Sequence, residues 1–150
     1  MRSEKMKEAK IKAGNYCAYQ ERTQQEVRNK LYSIGLYSDE VEEVLTELIT
    51  ENFVNEERYA KAFARGKFRF KQWGRKKIIY ALKQKKISAY CIDRALHEIS
   101  DEEYEKEILR LIEKKNSQLS GDVFIVKNKI ARYLIGKGFE QELVWSLLNQ

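Results

Sequence analysis

A short apolar pattern occurs three times along this 150-residue chain, and its spacing constrains the fold more than any other feature. Val27-Arg-Asn-Lys-Leu31 aligns with Ile78-Ile-Tyr-Ala-Leu82 and with Ile130-Ala-Arg-Tyr-Leu134, at offsets of 51 and 52 residues. Five positions beyond each Leu stand Leu36, Ile87 and Phe139. Val41, Ile92 and Val144 follow, then Val44/Leu45, Ala95/Leu96 and Leu147/Leu148, at the same spacing. The pattern reads as a helix, a short turn and a second helix, and a further helical segment precedes each copy. Periods of this size mark helical arrays in which each unit buries its face against its neighbours. The expected fold is all-α: three tandem three-helix repeats of about 50 residues each in an elongated, curved array. The expected modules are residues 1–50, 51–100 and 101–150.

Local signals agree with helices throughout. The chain contains no Pro, the residue that breaks helix interiors. Thr23-Gln24-Gln25-Glu26 has capping-box spacing, so the hydroxyl and carboxylate can satisfy free N–H groups at a helix start. Gly35 suits a left-handed helix end. Ser38, Asn55, Ser88 and Ser100 are further N-cap candidates, most of them followed by acids that favour the helix dipole. The only stretch resembling a strand is VFIV at 123–126, short enough to be a buried helix turn. Residues 115–122, KNSQLSGD, read as a flexible joint before the last helix pair.

The charge is unevenly placed. The chain has 29 basic and 23 acidic side chains, a formal net charge of +6. Residues 61–86 hold 11 Lys/Arg and no acid, so the rest of the chain is net negative. Such a block is the electrostatic footprint expected for a polyanion or an acidic protein surface.

On a helical projection, Tyr59, Phe63, Gly66, Phe70 and Trp73 fall within about 80° of arc and read as core. Phe68 projects to the opposite side, among Lys61, Arg65 and Lys71. In the next helix Ile78, Ala81 and Leu82 form the apolar face, leaving Tyr80 among Lys76, Lys77 and Lys83. Arg75, Lys76 and Lys77 crowd a helix N-terminus, where positive charge opposes the dipole and a docked anion would relieve it. The expected partner-binding residues are therefore Lys61, Arg65, Phe68, Lys71, Arg75, Lys76, Lys77, Tyr80 and Lys83.

Other chemistries find little support. His97, the only His, lies six residues after Cys91, about 240° around a helix. Two Cys 74 positions apart, Cys17 and Cys91, suggest neither a disulfide framework nor a zinc pattern. There is no phosphate-binding loop motif, and Gly136-Lys137-Gly138 falls where a helix should end. No apolar run approaches the roughly 20 residues that span a membrane. A non-enzymatic, monomeric cytoplasmic protein without cofactor or metal is expected.

Several segments resemble the RecX family, regulatory proteins of the bacterial recombinase RecA. Phe53-Val-Asn55-Glu56-Glu57-Arg58-Tyr59-Ala60-x-x-Phe63 is similar to that family's characteristic segment. So is Gly74-x-x-x-Ile78-x-x-x-Leu82-x-x-Lys85-x-Ile87, although Lys86 stands where the family usually has Gly. Glu21-Arg22-Thr23 and Lys129-Ile130-Ala-Arg132-Tyr133-Leu134-x-x-Lys137-Gly138-Phe139 resemble the first and third repeats. The resemblance implies three three-helix repeats that bind the RecA–DNA filament and limit strand exchange, ATP hydrolysis and co-protease activity. It carries no catalytic residues. The competing reading is a helical-repeat protein that binds single- or double-stranded DNA independently of RecA.

Overall fold

A computed structural model describes residues 3–150, and every regular element in it is a helix. Nine helices follow in order among the described residues. They are α1 (Glu4–Tyr19), α2 (Gln24–Ile34), α3 (Ser38–Thr50), α4 (Glu56–Lys71), α5 (Arg75–Gln84), α6 (Ala89–Leu96), α7 (Asp101–Gln118), α8 (Val123–Gly136) and α9 (Gln141–Leu148). They group as three modules of three. None of these helices is long and apolar enough to cross a membrane.

Capping chemistry sets most of the boundaries. The Thr23 hydroxyl accepts from the Glu26 N–H at 3.0 Å while the Glu26 carboxylate accepts from the Thr23 N–H at 2.9 Å. Asn55, Ser88 and Ser100 accept from the N–H groups of Arg58, Cys91 and Glu103. Ser38 departs from expectation, because it is the first residue of α3 rather than its cap. There the Glu40 carboxylate reaches back to the Tyr37 N–H at 2.8 Å, so an acid at the third helical position does the work.

The stretch 123–126 is helical, since the Asp122 carboxylate accepts from both Phe124 and Ile125 N–H groups. The segment 115–122 is a joint only in its second half, because α7 continues to Gln118 and Leu119 packs against the core.

The repeating apolar positions form the interior. Val27, Leu31, Val41 and Val44 are fully buried in the first module, as are Ile78 and Leu82 in the second and Ile130, Leu134, Phe139 and Val144 in the third. Between the last two helices of each module the chain turns through a left-handed residue: Gly35 (φ 108°), Lys86 (φ 63°) and Gly138 (φ 100°). Lys86 thus adopts the conformation its Gly counterparts adopt, and the turn is conserved in shape despite the side chain.

The cores are unequally shared. Met6, Val27, Leu31, Val41, Leu45 and Leu48 belong to a cluster confined to the first module and its exit. One continuous cluster runs through modules two and three, from Tyr59 and Phe68 across Tyr104 to Phe139 and Leu148.

Candidate functional site

The basic stretch 61–86 folds into α4 and α5, and neighbouring helices reshape it considerably. Phe68 is 3% exposed, whereas Phe70 is 80% exposed, the reverse of the projected arrangement. The buried ridge of α4 runs Tyr59, Ala60, Ala64, Phe68. Its two alanines face the interior, and the helix packs most extensively against α6. Phe68, at the far end of the ridge, stacks on Tyr104 of α7 with ring centroids 5.8 Å apart. A projection weighted by bulky aromatics overlooks small residues that permit close helix packing, and it cannot see a second module covering the helix end.

Acids from outside the stretch neutralise part of it. Lys61 pairs with Glu57 at 3.1 Å, Arg65 with Glu98 at 2.6 Å and Arg69 with Glu103 at 3.5 Å. Arg75 is engaged most deeply. Its guanidinium reaches Asp101 at 2.7 Å and Glu140 at 3.0 Å and lies 3.8 Å from the centroid of the Tyr104 ring. The Tyr104 hydroxyl accepts from the Arg75 backbone N–H at 2.9 Å and donates to Glu140. Burial, together with the hydrogen bond to Glu140, pushes the Tyr104 phenol well above its ordinary range. Arg75 therefore ties the second module to the third.

The start of α5 is likewise closed. The Gly74 N–H donates to the Lys137 carbonyl at 2.8 Å, and the Lys76 N–H donates to the Gly138 carbonyl at 3.0 Å. With the Arg75 N–H on Tyr104, three leading donors of α5 are used within the protein, two of them by the carbonyl end of α8. The expected anion at this helix N-terminus is replaced by the opposite end of another helix, whose partial negative charge suits the same place.

What remains of the expected set falls into two groups. Lys76, Tyr80 and Lys83 stand at i, i+4 and i+7 on α5, within about 60° of arc. All three are exposed, Tyr80 to 66%. Lys71 and Lys77 lie elsewhere, at the junction with the third module. There the Lys77 ammonium sits 4.6 Å from the Trp73 ring centroid and that of Lys67 4.9 Å from it. Lys137 donates its ammonium to the Lys71 carbonyl at 2.6 Å, and Lys115 lies 4.1 Å from the Tyr133 ring centroid. Neither Lys115 nor Lys137 lies in the basic stretch; only tertiary folding brings them to it.

The remaining candidates are inert in geometry. Cys17 and Cys91 are both buried and free, and burial pushes the Cys17 thiol up. No group of three or more metal-ligating side chains occurs among the described residues.

Comparison with known proteins agrees with this architecture. Models of the first, second and third three-helix domains of RecX match residues 9–48, 55–96 and 101–148. The chain is 34% identical over 133 residues to a Clostridium tetani protein named Regulatory protein RecX, covering 86% of this chain and 60% of that one. A Prosthecochloris aestuarii protein of the same name is 29% identical over 139 residues, covering 93% and 90%. The chain spans only 55–61% of the Clostridium botulinum and Bacillus cytotoxicus relatives it matches. Among solved structures, the crystal structure of RecX from Lactobacillus salivarius superposes with a TM-score of 0.88 at 27% identity, covering 97% and 95% of the two chains.

Proposed function

The chain belongs to the RecX family, and from that premise we propose that it regulates the RecA recombinase by binding the RecA–DNA filament. The binding restrains strand exchange, ATP hydrolysis and co-protease activity, and it proceeds in the cytoplasm, without catalysis or cofactor, by a monomeric chain. The observation that carries the contact assignment is the outer face of α5, where Lys76 and Lys83 flank the exposed Tyr80. Neither lysine pairs with a carboxylate among the described residues, so both are available to a partner. An aromatic ring between two cations supplies contact area and electrostatic attraction together.

Lys61, Arg65 and Arg75 contribute less to this contact, because each already holds an acid of its own. Repeated modules let several weak contacts act along one filament, which raises avidity without any single tight site.

Co-sedimentation with preformed RecA filaments tests the proposal. The chain is expected to pellet with filaments, and Lys76→Gln/Tyr80→Ala/Lys83→Gln is expected to stay in the supernatant. Failure of the unaltered chain to pellet at stoichiometric ratio would refute the reading.

A further inference from the structure

We infer that the junction of the second and third modules carries a seat for a single strand of nucleic acid, with Lys67, Lys71, Lys77, Lys115 and Lys137 meeting the phosphates and Phe70 taking a base. All three arginines of the stretch 61–86 are paired with carboxylates: Arg65 with Glu98, Arg69 with Glu103, and Arg75 with Asp101 and Glu140. The five junction cations are all lysines, and none pairs with a carboxylate among the described residues. Planar guanidinium forks are spent where geometry must be held. Ammonium groups, which act as point charges without a required approach angle, are left without a carboxylate. A group of point charges with no carboxylate among them suits a phosphodiester backbone, whose evenly repeated charges can be met one by one.

The cluster is held in place rather than scattered. Lys137 is anchored on the Lys71 carbonyl at the end of α4, Lys67 and Lys77 lie against Trp73, and Lys115 lies over Tyr133. Partial burial and the charges of Lys77, Lys71 and Lys115 push the Lys137 ammonium below the usual lysine range. Like charges therefore crowd one another here, a repulsion that a bound polyanion relieves.

Phe70 selects the single strand. It is 80% exposed beside Lys71, and stands at i+3 from Lys67 and i+7 from Phe63 on α4. An exposed ring of this kind stacks on an unpaired base, whereas a duplex keeps its bases stacked inside. The faces of Trp73 and Tyr133 are already occupied by lysines, so Phe70 is the available platform.

Fluorescence anisotropy with a labelled oligothymidylate and a labelled hairpin duplex, each across a salt series and without RecA, tests the assignment. Lys71→Gln/Lys115→Gln leaves the Lys137 anchor on the backbone carbonyl intact, so the fold should persist by circular dichroism. This variant should flatten the log affinity against log salt slope for oligothymidylate by about 1.4, the loss of two phosphate contacts. Phe70→Ala should weaken oligothymidylate binding about fivefold or more and leave the duplex unchanged. Lys5→Gln/Lys12→Gln, on the first module, should alter neither.

An unchanged slope in the lysine variant overturns the seat. An unchanged affinity in Phe70→Ala overturns its assignment to a single strand. An unchanged slope together with loss of the same lysine variant from RecA-filament pellets, in a separate co-sedimentation, would assign the cluster to an acidic protein surface instead. Because RecA is absent from the titration, its outcome is independent of whether the filament proposal holds.

Discussion

The backbones of Gly74 and Gly138 touch across the boundary between the second and third modules. A Cβ on Gly74 would lie 2.2 Å from the Gly138 carbonyl carbon and 2.3 Å from the Phe139 nitrogen. No backbone can yield that much without breaking the paired hydrogen bonds from Gly74 and Lys76 to the end of α8. Gly74→Ala is therefore expected to destabilise modules two and three by about 3 kcal/mol, the scale of an overpacked interior. Both tryptophans, Trp73 and Trp145, lie in these modules, so urea unfolding followed by their fluorescence reads the effect directly. A midpoint equal to that of the unaltered chain would show that the contact can relax.

The first module should unfold as a separate body. Its apolar cluster does not merge with the cluster of the other two. Across the boundary stands the Arg58–Glu21 ion pair at 2.6 Å, with both side chains roughly a third exposed. A pair that wet contributes at most about 1 kcal/mol. Tryptophan fluorescence and far-ultraviolet circular dichroism should consequently give non-coincident denaturation curves, the second including a transition the first does not see. Superimposable curves would mean that the three modules form one cooperative unit.

Alkaline pH should loosen the second module through Tyr59. Burial, with a smaller push from the Glu26 charge, raises its phenol to about 12, while in the unfolded chain it ionises near 10. Its folded-state pKa is raised, so its contribution is intact below about pH 10 and is lost as pH climbs from 10 towards 12. Tyr59→Phe should show a shallower fall in melting temperature across that window. Tyr104, whose phenol is raised further by burial and Glu140, keeps some slope in the variant. Parallel profiles for the two proteins would contradict the assignment.

Lys86 holds a left-handed conformation that Gly35 and Gly138 hold in the other modules. An L-residue there costs roughly 1–2 kcal/mol, partly offset because Gly loses more freedom on folding. Lys86→Gly should leave stability unchanged or raise it by up to about 1 kcal/mol, measured by thermal melting. A clear destabilisation would show that the Lys86 side chain supports the turn.

These relationships also explain what could be read along the chain and what could not. The core positions from Val27 to Leu148 were visible because helical periodicity and capping are local, and three copies in register reinforce one another. Thr23 and Glu26 were visible for the same reason. The helical projection misplaces Phe68 because α4 packs most extensively against α6, with Ala60 and Ala64 buried, and because Tyr104 of the next module covers its far end. Arg75 read as a free cation because its acids, Asp101 and Glu140, lie 26 and 65 positions away. Nothing along the chain assigns Lys115 and Lys137 to the basic stretch, since the junction they share with Lys71 exists only once the modules are joined.

Regulation of RecA through the outer face of α5 is read by RecA-catalysed ATP hydrolysis on single-stranded DNA, with increasing amounts of the unaltered chain or of Lys76→Gln/Tyr80→Ala/Lys83→Gln. The side chains replaced are exposed, so both proteins should show the same melting temperature. The unaltered chain is expected to suppress hydrolysis at substoichiometric to stoichiometric ratios, and the variant to need at least tenfold more, about 1.4 kcal/mol of lost contact. Equal suppression by both proteins would remove the outer face of α5 from the contact, and no suppression by the unaltered chain would refute regulation of RecA itself.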